Sequence, residues 1–354
     1  MTSHSSALVA GLVCLSAVVV VVAMSSWLAA ASAAGEGSIG GADCETSCGG
    51  VDIPFPFGMG DHCWLPGFEI MCKDTGNGVL KPFMVSVDPT KPKHATVEVL
   101  NISLEQGELK VLNHISSYCY DAASGMMVAS EWRFGLANYS FSSTANKFTV
   151  VGCRALAYIG DTRRNKVAAM YLTGYVAMCF DGKMSLNPCS GMGCCQTAIP
   201  KGLKYYRVRF DRRWSNMSGI DDHGGLGRCS FAVLMDSSNF TSSTSSSNNI
   251  SSPEFINNNS SSAFNSSRGG KAPVVLDWSI GFDDCKTAVR NPDYACRSNN
   301  SFCSDSTSGR GYICKCNQGF HGNPYLPNGC QGESTFLASL LYYLTILYAC
   351  HNML

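Results

Sequence analysis

Charge is scarce in this sequence of 354 residues. Only 15% of the residues are charged, and 26 basic residues balance 26 acidic ones. A chain without net charge has no long-range field that would attract a polyanion to the molecule as a whole. The composition therefore predicts no nucleic-acid partner, and any binding of anions has to come from a local cluster.

Motifs typical of catalysis are also missing. The sequence contains no H-E-x-x-H, no G-x-S-x-G, and neither the glycine-rich loop nor the H-R-D and D-F-G triplets of a protein kinase. The only compact cluster of acid–base side chains in the sequence is Asp221-Asp222-His223. In an extended segment these neighbouring side chains would point to opposite faces, unlike the facing carboxylates of a glycosidase. We therefore expect no enzymatic activity.

Cysteine, by contrast, is abundant, with 19 residues spread over the whole length. This number indicates disulfide bonds and an oxidising compartment. Helical periodicity is scarce, whereas strand-like alternation of apolar and polar residues recurs. We predict a mainly β, disulfide-rich fold, in which a cysteine-rich β domain is followed by a small cysteine-dense module.

Both ends of the chain are apolar. Leu8 to Met24 precedes the small-residue pattern Ala31-Ser32-Ala33, which predicts a signal peptide over residues 1–34, with an uncleaved signal anchor as the alternative. Phe336 to Cys350 is shorter than the ~20 residues of a comfortable membrane span. Membrane association therefore stays open between an imperfect anchor, a lipid-anchor signal and a tail without an anchoring role.

Composition divides the rest of the chain. A tract of Ser, Asn and Thr cannot bury enough apolar surface to order itself and is predicted to be a disordered linker. The predicted regions are a cysteine-rich region at 35–236, the linker at 237–270, a strand segment at 271–282, the module at 283–332 and the tail at 333–354. Nine N-glycosylation sequons fit a secreted chain. They are Asn101, Asn138, Asn216, Asn239, Asn249, Asn258, Asn259, Asn265 and Asn299.

Two segments show the period of two that is typical of strands, and a third has a strand-like composition. Thr96 to Ile115 predicts a hairpin around a Glu-Gln-Gly-Glu turn, with Asn101 on its outward face. Lys147 to Ile159 is rich in β-branched and aromatic residues and predicts one strand. In the segment 271–282, apolar side chains alternate with Asp277 and Ser279, which predicts a half-buried strand.

Six cysteines lie within the predicted module. A piece this short cannot be held together by burial alone, and three disulfide bonds at about 2 to 5 kcal/mol each would stabilise it. The C-x-C pair, the Gly-Phe that follows it and the closing cysteine resemble an epidermal-growth-factor-like (EGF-like) module. The six are Cys285, Cys296, Cys303, Cys314, Cys316 and Cys330.

One local basic cluster follows the cysteines near Cys189. Six of the thirteen residues from Lys201 to Arg213 are Lys or Arg, and the segment alternates as a strand does. The period places Tyr205, Arg207 and Arg209 on one face and apolar side chains on the other. Guanidinium groups pair with carboxylates and aromatic rings stack on sugars, so this face suits an acidic polysaccharide. The alternative is the solvated face of an ordinary strand. The candidate ligand-binding residues are Tyr205, Arg207, Arg209, Lys201, Lys204, Arg212 and Arg213.

Several long motifs occur in a recognisable order: CETSCGGVDIPFPFG, ISLEQGELKVLNHIS, NKFTVVGC, SGMGCCQTAIPKGLKYY, and YACRSNNSFC continuing into GYICKCNQGFHGNPYLPNGCQ. Together they resemble the extracellular part of plant wall-associated receptor kinases, without the kinase domain. The resemblance implies a galacturonan-binding region that contacts pectin or oligogalacturonides, at the cell wall or the outer surface of the plasma membrane. The alternative function is a protein-interaction module that acts as a decoy or co-receptor beside other receptor ectodomains.

Two details of the resemblance concern cysteine and metal. The family usually has a cysteine where this chain has Tyr175, and eleven cysteines, an odd number, precede the module once Cys14 is set aside. We therefore predict one free thiol, either buried or paired with another molecule. No metal or cofactor is predicted; calcium at Asp283, Asp284 and Asp305 remains an alternative, although their spacing fits a calcium-binding module poorly. The free thiol is expected among Cys153, Cys179, Cys189, Cys194, Cys195 and Cys229.

Overall fold

The computed structural model describes residues 43–85, 95–121, 123–135, 139–152, 154–160, 172–179, 189–212, 229–240, 270–307 and 309–332. These residues form twenty-one strands, one short α-helix, α1 (Cys285–Ala288), and a 3-10 helix over Ser237–Phe240. The predicted mainly β, disulfide-rich fold is confirmed. The predicted signal peptide, residues 241–269 of the predicted linker and the C-terminal tail lie outside the described residues.

The strands follow one another through both predicted folded regions. In chain order they are β1 (Ser47–Cys48), β2 (Val51–Asp52), β3 (Ile70–Asp74), β4 (Leu80–Val85), β5 (Ala95–Ser103), β6 (Glu108–His114), β7 (Ser116–Asp121), β8 (Met126–Ser130), β9 (Arg133–Gly135), β10 (Tyr139–Phe141), β11 (Asn146–Val151), β12 (Arg154–Gly160), β13 (Leu172–Met178), β14 (Cys194–Thr197), β15 (Tyr205–Phe210), β16 (Cys229–Asp236), β17 (Lys271–Trp278), β18 (Ser301–Asp305), β19 (Tyr312–Cys316), β20 (Phe320–Gly322) and β21 (Cys330–Gly332).

Three antiparallel sheets combine the strands of the cysteine-rich region with β17 from the segment 271–282. Their strand orders are β10-β17-β6-β5-β4-β3, β14-β11-β16-β7-β8 and β13-β12-β15-β9. The hairpin β1-β2 lies at the start of the region, and the hairpins β18-β19 and β20-β21 form the module. Among the described residues, no helix is long and apolar enough to cross a membrane.

The hairpin prediction is confirmed by β5 and β6, which pair antiparallel from Ser103 opposite Glu108 onwards. Asn101 is exposed on β5, as expected for a glycan acceptor. The strand predicted within 271–282 is also confirmed as β17. It lies between β6 and β10 and is more deeply buried than a half-buried strand, because neighbouring elements cover both of its faces.

The prediction of one strand over Lys147 to Ile159 is wrong. The segment forms two strands, β11 in the five-stranded sheet and β12 in the four-stranded sheet. The chain breaks at Gly152, whose φ of 153° is unfavourable for other residues. A Cβ at Gly152 would also lie 2.8 Å from Ser230 Oγ. A glycine therefore lets a continuous apolar segment change sheets.

A buried asparagine joins the five-stranded and six-stranded sheets. The Asn146 side chain donates to the carbonyl of Val275 at 2.7 Å and accepts from the Val275 N–H at 2.9 Å. It therefore pairs with β17 as a backbone group would, and it also donates to the Ser142 carbonyl at 2.8 Å. Because all these polar groups are buried, losing the amide would leave backbone groups of β17 without partners.

The module packs directly on the six-stranded sheet. Trp278, at the end of β17, contacts the rings of Phe57 and Phe68 edge-on, with centroid distances of 5.2 and 5.6 Å, and that of Tyr325 from the module at 5.9 Å. Asn323 of the module donates to the Phe55 carbonyl at 2.7 Å. One continuous apolar core therefore includes both regions.

Two carboxylates face each other across β6 and β17. Asp277 lies directly opposite Glu108. Burial raises the pKa of Asp277 to about 6, and the negative charge of Glu108 adds to the shift, whereas a hydrogen bond with Ser142 and the charge of Lys201 oppose it. The folded protein therefore binds this proton more tightly than the unfolded chain does.

We expect the protein to lose stability as the pH rises from about 4 to 6, because unfolding then releases the Asp277 proton. After allowance for partial solvent screening, the loss is on the order of 1 to 2 kcal/mol. Thermal unfolding of Asp277→Asn should show a flatter pH dependence than that of the wild type. Asp52→Asn, which removes an exposed carboxylate, is the control. Identical pH profiles for wild type and Asp277→Asn would contradict the prediction.

Candidate functional site

Strand β15 places the predicted ligand-binding side chains as its alternation indicates. Tyr206, Val208 and Phe210 are buried at 0%, 1% and 5% exposure. Their neighbours Tyr205 and Arg207 are half-buried and Arg209 is exposed, so these three point away from the core. The predicted division of the strand into an apolar and a basic face is therefore observed.

Arg133 joins this face from the neighbouring strand β9, where it lies directly opposite Arg207. The N–H of Val208 donates to the Trp132 carbonyl at 2.9 Å, so Arg133 and Arg207 form a non-hydrogen-bonded pair. Such pairs have Cα atoms about 4.5 Å apart and the closest side chains of an antiparallel ladder. The Arg133 and Arg207 side chains therefore leave the sheet from adjacent positions.

Within the described residues, the Glu131 carboxylate contacts Arg207 of this pair. Arg207 Nη2 donates to Glu131 Oε2 at 3.4 Å, and Glu131 Oε1 accepts from the Phe210 N–H at 3.3 Å. Both contacts are long for charge-assisted hydrogen bonds, which are typically about 2.7 to 2.9 Å. Neither Arg133 nor Arg209 forms an ion pair with any residue that the structure describes. The positive charge is therefore only partly compensated.

Two tyrosine rings lie on this side of the sheet, each over a glycine of the adjacent strand. Tyr205 covers Gly135 of β9, and a Cβ at Gly135 would lie 2.5 Å from the Tyr205 ring. Tyr158 of β12, which is opposite Arg209, covers Gly174 of β13 in the same way. Both rings are half-buried, so part of each remains accessible to solvent. We call the surface formed by Arg133, Tyr158, Tyr205, Arg207 and Arg209 the arginine face.

The other predicted ligand-binding residues lie around the ends of β15. Lys201 is exposed in the turn before the strand, and its charge acts on Asp277 of the six-stranded sheet. Lys204 is half-buried just before β15, and Arg212 is exposed just after it. Arg213 lies outside the described residues. Sequence reasoning missed Arg133 and Tyr158, because only the pairing of β15 with β9 and β12 places them beside Arg207 and Arg209.

Disulfide bonds connect the elements behind the arginine face. Cys119–Cys229 joins β7 to β16, and Cys189–Cys194 closes the turn before β14. Cys179 is also disulfide-bonded. Cys44–Cys63 and Cys48–Cys72 cross-link the start of the region. Together with three bonds in the module, these contacts indicate folding in an oxidising compartment.

The predicted free thiol is Cys195 of β14, the free cysteine among the described residues. Cys195 is 1% exposed, so the structure favours a buried thiol over a bond to another molecule. Its Sγ accepts a hydrogen bond from the Tyr175 hydroxyl, which itself raises the pKa of Tyr175. Burial raises the pKa of the Cys195 thiol. The residue that replaces the expected cysteine thus contacts the thiol left without a partner.

The three disulfides predicted for the module are present. They are Cys285–Cys303, Cys296–Cys314 and Cys316–Cys330.

Two of the three carboxylates considered for calcium accept hydrogen bonds from backbone N–H groups. Asp284 caps α1 by accepting from the Thr287 N–H at 2.9 Å, and Asp305 accepts from the Cys285 N–H at 2.7 Å. The part of the chain that the structure describes contains no cluster of three His, Cys, Asp or Glu side chains suited to a metal.

The structure describes three of the nine predicted glycosylation sites. Asn101 on β5 and Asn299 in the module are exposed. Asn239 lies in the 3-10 helix over Ser237–Phe240. The remaining six lie outside the described residues: Asn138, Asn216, Asn249, Asn258, Asn259 and Asn265.

Comparison with known proteins gives a family and related sequences. Residues 44–113 match the model of the wall-associated receptor kinase galacturonan-binding domain. Wall-associated receptor kinase 5 of Arabidopsis thaliana is 36% identical over 294 residues, which cover 82% of this chain and 34% of the relative. Wall-associated receptor kinases 2 and 1 of the same plant are 33% and 32% identical over 84% and 82% of this chain, and 35% and 34% of their own lengths.

The chain therefore spans about a third of the length of the curated relatives that it matches. No solved structure matches it. The galacturonan-binding match covers β1 to β6, whereas the arginine face belongs to β9, β12 and β15, outside the matched residues. The motifs, the disulfide-rich β fold and these similarities agree: the chain carries a galacturonan-binding domain and is homologous, over about four fifths of its length, to wall-associated receptor kinases.

Proposed function

We propose that the chain binds acidic cell-wall polysaccharide, such as de-esterified pectin or oligogalacturonides, without catalysis, and that the arginine face is the binding surface. The observation that carries this proposal is the outward placement of Arg133, Arg207 and Arg209 beside two accessible tyrosine rings. The homology supports the same ligand class, because a galacturonan-binding domain lies in the same chain.

The chemistry of the face matches that of a polyuronate. Such a chain presents a carboxylate on each sugar, and a guanidinium group can pair with it through two parallel hydrogen bonds. Exposed ion pairs contribute only about 0 to 1 kcal/mol each, so binding has to engage several arginines at once. We therefore expect affinity to fall as salt is added.

The proposed location is extracellular, in the wall or at the plasma-membrane surface. Seven disulfide bonds are present among the described residues, which requires an oxidising compartment. The exposed sequon asparagines Asn101 and Asn299 are compatible with secretion. A ligand fixed in the wall would meet the protein in this compartment.

A second surface is an alternative candidate site for the same ligand. Within the matched residues 44–113, Lys73 of β3 lies directly opposite Lys81 of β4 at the edge of the six-stranded sheet. Lys81 pairs with Glu98 at 2.9 Å, whereas Lys73 is exposed. Any test of the arginine face therefore needs a matched change at this lysine pair.

We expect Arg207→Glu combined with Arg209→Glu to lower affinity for de-esterified pectin about tenfold to a hundredfold at low salt. Two attractive contacts become repulsive, and each is worth on the order of 1 kcal/mol. The measurement is equilibrium binding of the secreted protein to polygalacturonate over a salt series. Lys73→Glu combined with Lys81→Glu is the matched control, with the same change in charge.

Unchanged binding by the arginine double variant, with loss in the lysine double variant, would reject the arginine face and keep polysaccharide binding. The absence of binding by the wild type at low salt would reject the function itself. Release of reducing ends from polygalacturonate by the wild type would contradict a role without catalysis.

A further inference from the structure

We propose that a uronate chain lies along β15, with one carboxylate shared between Arg133 and Arg207, another on Arg209, and sugar rings stacked on Tyr158 and Tyr205. This inference rests on the proposed function and deepens it. It adds Arg133 and Tyr158 from other strands to the binding surface and places the ligand along the axis of β15.

The shared carboxylate follows from the pairing of β9 with β15. Like charges directly opposite each other destabilise an antiparallel pair, and Arg133 and Arg207 occupy the pair with the closest side chains. Glu131 contacts Arg207 at 3.4 Å, but it makes no ion pair with Arg133. A single ligand carboxylate placed between the two guanidinium groups would compensate both charges. The doublet therefore gains more from an anion than an isolated arginine would.

The tyrosine rings owe their positions to two glycines. Tyr205 lies over Gly135 and Tyr158 over Gly174, where any larger residue would displace the ring. Because both tyrosines are half-buried, part of each side chain stays accessible for stacking on a sugar. Both glycines lie in strands and are absent from the left-handed conformations found elsewhere in the chain. The space above them, and not backbone strain, therefore explains why glycine suits these positions.

The order of these side chains defines the axis along which the ligand lies. Tyr205, Arg207 and Arg209 alternate along one face of β15, with Arg133 beside the second and Tyr158 beside the third. From residue 205 to 209 a strand rises four residues, or about 13 Å. A single uronate has one carboxylate and one ring and can engage only part of this row. An oligomer can engage all of it.

The test measures binding of the secreted protein to galacturonate and to galacturonate oligomers of increasing length, by calorimetry at low salt. We expect affinity to rise with length until the row from Tyr205 to Arg209 is filled. Arg133→Ala should lower affinity for a long oligomer up to about fivefold, the effect of losing one exposed ion pair worth at most about 1 kcal/mol. Arg133→Lys should restore only part of this loss, because an ammonium group cannot form the bidentate contact. Tyr158→Ala should also weaken oligomer binding.

Arg290→Ala, which removes an exposed arginine from the module, is the matched control and should bind as the wild type does. Thermal unfolding checks that every variant is folded. Wild-type affinity for the oligomer in Arg133→Ala, together with lost binding in the Arg207→Glu, Arg209→Glu variant, would overturn this inference and leave the proposed function standing. Equal affinity for the monomer and the oligomers would overturn it as well. A wild type that binds no oligomer of any length would reject the proposed function too.

Discussion

Replacing Trp278 with alanine is expected to lower the free energy of unfolding by about 3 to 5 kcal/mol, the usual cost of deleting a large aromatic side chain from a core. Trp278 is 2% exposed and touches Phe57 and Phe68 of the cysteine-rich region and Tyr325 of the module. The cavity would therefore open where the two regions meet. Calorimetry should show a transition temperature lower by at least about 6 °C.

The control for this prediction is Phe282→Ala. Phe282 is four residues further along the chain, but it is 69% exposed. Its removal should change the stability by no more than about 0.5 kcal/mol, as is usual for surface positions. Equal transition temperatures for Trp278→Ala and Phe282→Ala would show that the aromatic contacts contribute little to joining the module to the sheet.

Replacing Tyr175 with cysteine is expected to form a disulfide bond with Cys195 and to stabilise the protein by about 2 to 3 kcal/mol. The family that the sequence resembles has a cysteine at this position, and Tyr175 lies close enough to Cys195 for each to shift the pKa of the other. Backbone hydrogen bonds of Met178 with Gly191 and Gly193 also hold β13 beside the turn into β14. The new bond would close a loop of about twenty residues, and chain-entropy arguments assign about 3 kcal/mol to such a loop. Peptide mapping after alkylation in denaturant should then find Cys195 unlabelled.

Tyr175→Ser serves as the control for the loss of the tyrosine. It removes the hydroxyl contact, leaves Cys195 available for alkylation and provides no bond to offset the change. If Cys195 is alkylated equally in Tyr175→Cys and Tyr175→Ser, the two strands do not bring the side chains within bonding distance. That result would also show that Tyr175 is not the reason that Cys195 is unpaired.

Local patterns predicted the features that depend on neighbours in the chain. The alternation around Arg207 and Arg209 sets the two faces of β15 wherever the strand lies, because successive side chains of a strand point in opposite directions. The odd number of cysteines in the first region likewise required an unpaired thiol. Counting could not select Cys195, since that choice depends on which cysteines the sheets bring within bonding distance.

The features that sequence reasoning missed depend on pairing between distant segments. Arg133 lies in β9, a strand of three residues with little pattern of its own. It becomes part of the site only because β9 pairs with β15, where the Val208 N–H donates to the Trp132 carbonyl. The single strand predicted over Lys147 to Ile159 failed for a related reason. The β-branched and apolar composition continues through Gly152 although the chain changes sheets there.

The position of β17 has a mechanical consequence. The chain leaves the six-stranded sheet through β17, which is hydrogen-bonded to β6 on one side and β10 on the other, and then enters the module. A pull on the module along this strand would load both ladders in shear, so many hydrogen bonds would have to break together rather than one after another. Force applied to the module would then reach the sheets without first unravelling the strand that connects them.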